Sequence, residues 1–223
     1  MKAIVLFSGG QDSCTVLEDA VRFHGAANVT ALSVIYGQRH AVELECAQAY
    51  TAGLGVKHQI IDATFFGQLA PSALTGEGDT SDPHPFIPNV PASFVPNRNA
   101  FMLTLAHSIA QATGAGTIYG GMCQTDYSGY PDCRDVFIAG MEHALNVGSA
   151  SSIEIVTPLM NLTKAETWLL ADSLGALERV RLGSHTCYNG DHSTLHDHGY
   201  GCGQCPACQL RAKGWAEFQA ARA

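Results

Sequence analysis

Ala3-Ile4-Val5-Leu6-Phe7-Ser8-Gly9-Gly10-Gln11-Asp12-Ser13 decides the fold of this chain. An apolar run of five residues breaks into paired glycines framed by hydroxyls, which reads as a strand, a tight turn and the start of a helix near Ser13. The glycines lack a Cβ and let backbone approach a polyanion. Ser8 and Ser13 add hydroxyl donors, and the helix aims its first amides at the same point. This is the composition of a phosphate cradle. No GxxxxGK[ST] is present, so the lysine and Ser/Thr-bound magnesium of a γ-phosphate-transferring P-loop are not supplied here. The bland alternative is an ordinary glycine-rich βα turn.

Outward from this stretch, apolar runs alternate with helical patterns, as in parallel βαβ units with helices on both sheet faces. Strands are expected at 3–7, 29–35, 57–61, 116–121 and 153–157, with helices starting near Ser13, His40, Asn99 and Asp132. The helix from Asn99 to Thr113 carries Ala100, Phe101, Met102, Leu103, Leu105, Ala106, Ile109 and Ala110 and is expected to be buried nearly all round. Thr163-Lys164-Ala165-Glu166 reads as a capping box. Residues 71–97 hold Pro71, Pro83, Pro85, Pro88, Pro91 and Pro96, and are too long for a passive connector. A lid or an oligomer contact is expected there.

In an open parallel sheet, ligands bind beyond the carboxyl ends of the strands. That edge collects SGGQDS, Tyr36-Gly37-Gln38-Arg39-His40, the segment Gly120 to Arg134, and Thr157-Pro158-Leu159 with Lys164. Arg39, Arg98, Arg134 and Lys164 each stand at an expected helix start, where a cation opposes the macrodipole. Solvated surface charge is one reading of them; recurrence at one edge favours anion binding.

At the other end, Cys187 precedes Cys202-Gly203-Gln204-Cys205-Pro206-Ala207-Cys208. Four thiolates suit a closed tetrahedral zinc site that folds an otherwise polar, glycine-rich loop. A disulfide pair, an iron–sulfur cluster and a redox-active CxxC are the alternatives. His185, His192, His196 and His198 crowd the segment and could replace a cysteine, but are expected as surface loop residues. Cys14, Cys46, Cys123 and Cys133 lack metal-like spacing, and Cys14 and Cys46 read as small buried hydrophobes.

With 223 residues, 46% hydrophobic, the chain suffices for one sizeable core. One α/β unit is expected over 1–183, with a zinc-binding segment and C-terminal helix over 184–223 packed on it. The formal charge of −8 and the absence of a basic run argue against direct nucleic-acid binding, whereas a small anionic substrate needs only a few placed cations. No signal peptide or membrane-length apolar run is apparent, so a cytoplasmic protein without membrane contact is expected.

SGGxDS resembles the PP-loop of ATP pyrophosphatases, which cleave between the α- and β-phosphates. FSGGQDS, YGQRH, FVPNRN, DYSGYPDCR, TPLM with TKAE, and HTCY followed by GCGQCPACQLR extend a resemblance to the 7-cyano-7-deazaguanine synthase family of queuosine biosynthesis over nearly the whole chain. The resemblance implies a Rossmann-like, adenine nucleotide alpha hydrolase-like open sheet of about five strands, one structural zinc on Cys187, Cys202, Cys205 and Cys208, and a homodimer. It implies ATP-dependent carbon–nitrogen ligation, with ATP and magnesium, in which 7-carboxy-7-deazaguanine and ammonia give the nitrile. Phe7, Ser8, Gly9, Gly10, Gln11, Asp12, Ser13, Tyr36 and Gln38 would hold the nucleotide. Asp12, Ser13, Arg98 and Lys164 would act in catalysis, and Tyr127, Tyr130, Asp132 and Arg134 would shape the base pocket. A tRNA-thiolating PP-loop enzyme using Cys123 or Cys133, or a zinc-stabilised ATP-binding scaffold, are the rival readings.

Overall fold

A computed structural model describes residues 1–37, 42–69, 72, 82–88, 90–125 and 130–222. The element order is β1 (Lys2–Leu6), α1 (Gln11–His24), β2 (Val29–Ile35), α2 (Val42–Leu54), β3 (Lys57–Asp62), α3 (Thr64–Leu69), α4 (Arg98–Thr113), β4 (Ala115–Tyr119), α5 (Asp135–Ser149), β5 (Glu154–Val156), α6 (Lys164–Ser173), α7 (Leu177–Gly183), β6 (Leu195–His196), β7 (Gly199–Tyr200) and α8 (Pro206–Arg222). The main sheet runs β3-β2-β1-β4-β5 with every pairing parallel. The chain leaves β1 in one direction towards β3 and resumes on its other side at β4, so the switch point lies between β1 and β4. The five expected strands are all present, each within a few residues of its expected bounds.

Alternation along β1 divides the core. Ala3, Val5 and Phe7 enter a cluster with Val16, Leu17, Trp168, Val180 and Phe218. Ile4 joins Leu32, Val34, Leu103, Ala106, Ile118 and Ile155 on the opposite sheet face. The C-terminal helix belongs to the first cluster: Trp215 meets Trp168 edge-to-face at 5.0 Å. Gly214 permits this approach, because a Cβ there would stand 2.4 Å from Lys164 Cβ. Helix α8 therefore shares the core of the main sheet and its helices.

Helix α4 differs from its expected all-round burial. Leu103, Ala106, His107 and Ala110 are buried, while Thr104, Ser108 and Gln111 face solvent. It lies on one sheet face, so its exposed polar residues mark a wet side that the apolar count obscured. The capping box at α6 forms: Thr163 Oγ1 accepts from Glu166 N–H at 3.2 Å, and Glu166 accepts from Thr163 N–H at 2.7 Å. From the proline-rich segment, Val90 and Phe94 pack on Tyr130, and Ser93 hydrogen-bonds the Tyr130 hydroxyl at 2.7 Å. No described helix is long and apolar enough to cross a membrane.

Candidate active site

Beyond the carboxyl ends of β1, β2 and β4 lies a cavity of about 380 Å³. Backbone forms the glycine-turn end of the cavity. Gly9 has φ +81°, and a Cβ there would meet Glu43 O at 3.0 Å and Ala47 Cβ at 3.1 Å, so only glycine lets the turn lie against α2. Ser8 and Ser13 hydroxyls lie 3.2 Å apart, Ser13 Oγ donates to Gly10 O at 3.1 Å, and Gly10 N–H donates to Ser8 Oγ at 3.4 Å. Gly10 caps α1 without a side-chain acceptor, which leaves the first-turn amides of α1 available to an anion.

Lys164, the first residue of α6, reaches back to Asp12 at 2.5 Å. Asp12 Oδ1 and both polar atoms of the Gln11 amide are buried without hydrogen-bond partners among the described residues. Buried polar atoms of this kind call for a bound ligand, ion or water.

At the opposite end, Arg98 at the start of α4 lies 3.5 Å from the Tyr36 hydroxyl, with its guanidinium 5.8 Å from the Tyr36 ring centre. Burial disfavours its charge, but Tyr36, Asp132 and Tyr130 raise its pKa above the ordinary arginine value. Arg98, Lys164 and Arg211 supply positive charge to the wall, against Asp12 and Glu43. Burial pushes Glu43 up to about 7, with Arg98 opposing. Leu6, Leu32, Val34, Met102 and Met122 supply the apolar wall.

Phe7, Ser8, Gly10, Gln11, Asp12, Ser13, Tyr36, Arg98, Tyr130 and Lys164 line the cavity, and Gly9 sits behind it. Gln38 and Tyr127 lie outside the described residues, as do Arg39 and His40. Asp132 and Arg134 are not on the described wall. Asp132 is buried and turned onto α4, accepting from Asn99 N–H at 3.2 Å while its carbonyl accepts from Asn99 Nδ2 at 3.0 Å. Burial raises its pKa and Arg98 opposes that rise. Arg134 is exposed at the N-cap of α5.

Glu43, Asn99, Tyr188 and Arg211 line the cavity without having been singled out for it. Tyr188 shares a hydroxyl hydrogen bond with Tyr130. Its place beside Cys187 was the available signal, since a residue fixed by the cysteine loop must point somewhere definite. Arg211 ends the CPACQLR motif. It is buried, donating to the carbonyls of His198 at 2.8 Å and Arg181 at 2.8 Å and to Thr186 Oγ1 at 2.7 Å, while burial lowers it to about 10.

The sulfurs of Cys187, Cys202, Cys205 and Cys208 lie within 4.8 Å of one another, a group that can hold a metal ion. Amides of Gln204 and Cys205 donate to Cys202 Sγ, and Cys202 N–H to Cys187 Sγ, each at 3.4 Å, the pattern that steadies thiolates. Gly201 is obligatory, because a Cβ there would stand 2.6 Å from Cys208 Sγ. His185 and His198, expected at the surface, are buried. The former donates towards Cys187 O at 3.2 Å and the latter stacks on His196 at 5.1 Å, so the loop folds inward around its polar rings.

Fold and site together define an α/β protein with an open parallel sheet, whose glycine turn and α1 N-terminus face a cavity lined by Arg98, Lys164 and Arg211. A family model described as queuosine biosynthesis protein QueC matches residues 2–219, and the chain belongs to that family. It is 49% identical over 220 residues to the 7-cyano-7-deazaguanine synthase of Wolinella succinogenes, covering 98% of this chain and 94% of that protein. It is 50% identical over 218 residues to the enzyme of the same name from Lysinibacillus sphaericus, covering 97% and 95%. Among solved structures, an NH3-dependent NAD synthetase from Campylobacter jejuni in complex with nitrate aligns at 18% identity with TM-score 0.48, covering 80% of this chain and 66% of that one.

Proposed function

We propose that this chain converts 7-carboxy-7-deazaguanine and ammonia into 7-cyano-7-deazaguanine, consuming two ATP and releasing two AMP and two pyrophosphate. The names of its relatives support the reaction. The observation that carries it is the Asp12–Lys164 pair beside an uncapped α1 N-terminus, in one cavity with Arg98.

A carboxylate resists attack by ammonia because its leaving group would be oxide. Its oxygen therefore attacks the α-phosphorus of ATP and pyrophosphate departs. Ammonia adds to the acyl adenylate and AMP leaves, giving the amide. The amide oxygen then attacks the α-phosphorus of a second ATP, releasing pyrophosphate, and loss of AMP with two protons in all from nitrogen forms C≡N. Both carboxylate oxygens leave in AMP. Negative charge develops on pyrophosphate at each adenylation, and preorganised donors answer it without a protein nucleophile. Ser8, Gly10, Ser13 and the α1 amides face the departing pyrophosphate, with Lys164 adding charge. Phe7, Gly9, Gln11, Tyr36 and Gln38 complete the nucleotide site in this reading, and Arg98 neutralises the substrate carboxylate or the adenylate. Tyr130, Tyr188 and Tyr127 frame the base. Asp132 acts through Asn99 and Arg98, by fixing the α4 N-terminus, and Arg134, exposed at the N-cap of α5, is left without a contact to the cavity wall among the described residues.

Asp12 Oδ1, buried and without a hydrogen-bond partner among the described residues, suits magnesium, which supplies charge neutralisation of the phosphates when bound. Four thiolates fill the tetrahedral shell of zinc and leave no open position, so zinc at Cys187, Cys202, Cys205 and Cys208 is structural. The reading includes a cytoplasmic homodimer acting on small molecules, without direct nucleic-acid binding. Mass spectrometry of products from 7-carboxy-7-deazaguanine, ATP, magnesium and ammonium tests the reaction. The nitrile with AMP is expected; ADP, consumption of tRNA, or ATP binding without turnover refutes it.

A further inference from the structure

A second group of soft donors stands apart from the four cysteines. Cys46 on α2, His185 just after α7, and His192 in the loop before β6 each offer one ligand atom, and those atoms lie within 4.8 Å of one another. His192 Nδ1 is 3.9 Å and Nε2 3.6 Å from Cys46 Sγ, while the Nδ1 atoms of His185 and His192 are 3.2 Å apart. Zinc bonds of about 2.3 Å to sulfur and about 2.0–2.1 Å to nitrogen imply tetrahedral spacings of roughly 3.4–3.6 Å between donors. The contacts measured between ring nitrogens and with sulfur bracket that range.

The rings are also oriented as ligands are. His185 Nε2 lies 3.2 Å from Cys187 O, which can only accept, so Nε2 carries the proton and Nδ1 turns its lone pair towards His192. A backbone carbonyl holding the far nitrogen is the usual support of a metal-bound imidazole. His192 packs on the Tyr200 ring at 4.6 Å, which restricts its rotation. Cys46 and His185 are buried, and His192 is half-buried.

We propose that Cys46, His185 and His192 form a second metal site, suited to a thiophilic divalent cation of zinc's class, that ties α2 to the segment following α7 at the rim of the cavity. Three protein ligands leave a fourth position for water or a ligand from the cavity. Both tethered segments touch the phosphate loop. His185 lines the cavity and its N–H donates to Gly9 O at 2.8 Å, and Ala47, next to Cys46, is the residue against which Gly9 packs. Metal at this site therefore braces the turn that receives the pyrophosphate.

Equilibrium dialysis of the full chain against zinc, with elemental analysis, tests the site by difference, so the count does not depend on what fills the four-cysteine cluster. Wild type is expected to bind about one more ion per chain than Cys46→Ala or His192→Ala, and a mild chelator removes that ion first. Cobalt added to the same three proteins should give a single-thiolate charge-transfer band and tetrahedral ligand-field bands in wild type that both variants lack. His192→Ala changes a half-buried loop residue, which keeps a folded variant in hand if Cys46→Ala is poorly soluble. Equal stoichiometry in wild type and His192→Ala, or the same cobalt difference spectrum in both, overturns the proposal.

Discussion

Lys164→Met separates the chemistry of the phosphate-loop end from its architecture. Methionine keeps the stem that packs over Gly214 and removes the ammonium 2.5 Å from Asp12. The Lys164 side chain is 11% exposed and that of Asp12 27%, so the pair is neither solvent-screened nor fully desolvated. Breaking a fully buried pair costs about 3–5 kcal/mol and an exposed one about 0–1, which places the folding cost here at about 1–2 kcal/mol. The catalytic cost is separate. One charge-assisted contact to departing pyrophosphate contributes about 1.5–3 kcal/mol, and the uncompensated negative charge left on Asp12 works in the same direction. At 1.36 kcal/mol per decade, kcat/KM should fall by about 10- to 150-fold. The assay is pyrophosphate release at subsaturating ATP, with a urea melt alongside. If the pair served only to neutralise itself, Asp12→Asn combined with Lys164→Met would recover activity; the present reading expects the double variant to be no better than either single one. A folded Lys164→Met protein with unchanged kcat/KM refutes the assignment.

Glu43 is raised to about 7, so the unfolded chain ionises first as pH climbs, and stability is lost between about pH 4.5 and 7. Glu43→Gln should exceed wild type by roughly 1–3 kcal/mol at pH 8, with the gap closing towards pH 4.5; urea melts across that range check it. Gly9→Ala must hold φ +81° and displace α2, costing about 2–5 kcal/mol and weakening ATP binding, read by denaturation and calorimetry. Cys205→Ser should release the metal of the four-cysteine cluster and lower the thermal midpoint before KM for ATP changes, as measured by elemental analysis and scanning calorimetry. Asp132→Ala removes an acceptor from Asn99 N–H and should cost about 0.5–2 kcal/mol with reduced turnover, whereas Asp132→Asn, which keeps an acceptor oxygen, should restore most of both.

Local chemistry determined much of this protein. The apolar run into Ser8-Gly9-Gly10, the spacing of strands, the box at Thr163 and Glu166, and the CxxCxxC with Cys187 are legible because each depends on neighbours a few residues away, or on a composition with few other uses. Which cations share a cavity was not legible. Lys164 is 152 residues from Asp12, and only the parallel order β3-β2-β1-β4-β5 brings the start of α6 over the start of α1. Asp132 reads as a pocket carboxylate in DYSGYPDCR, yet packing turns it onto the Asn99 N–H at the start of α4, since a buried carboxylate goes where a donor can satisfy it. Cys46, His185 and His192 have no spacing signature at all. Their proximity arises from the docking of the C-terminal loop on α2, a contact between distant segments that no local pattern encodes.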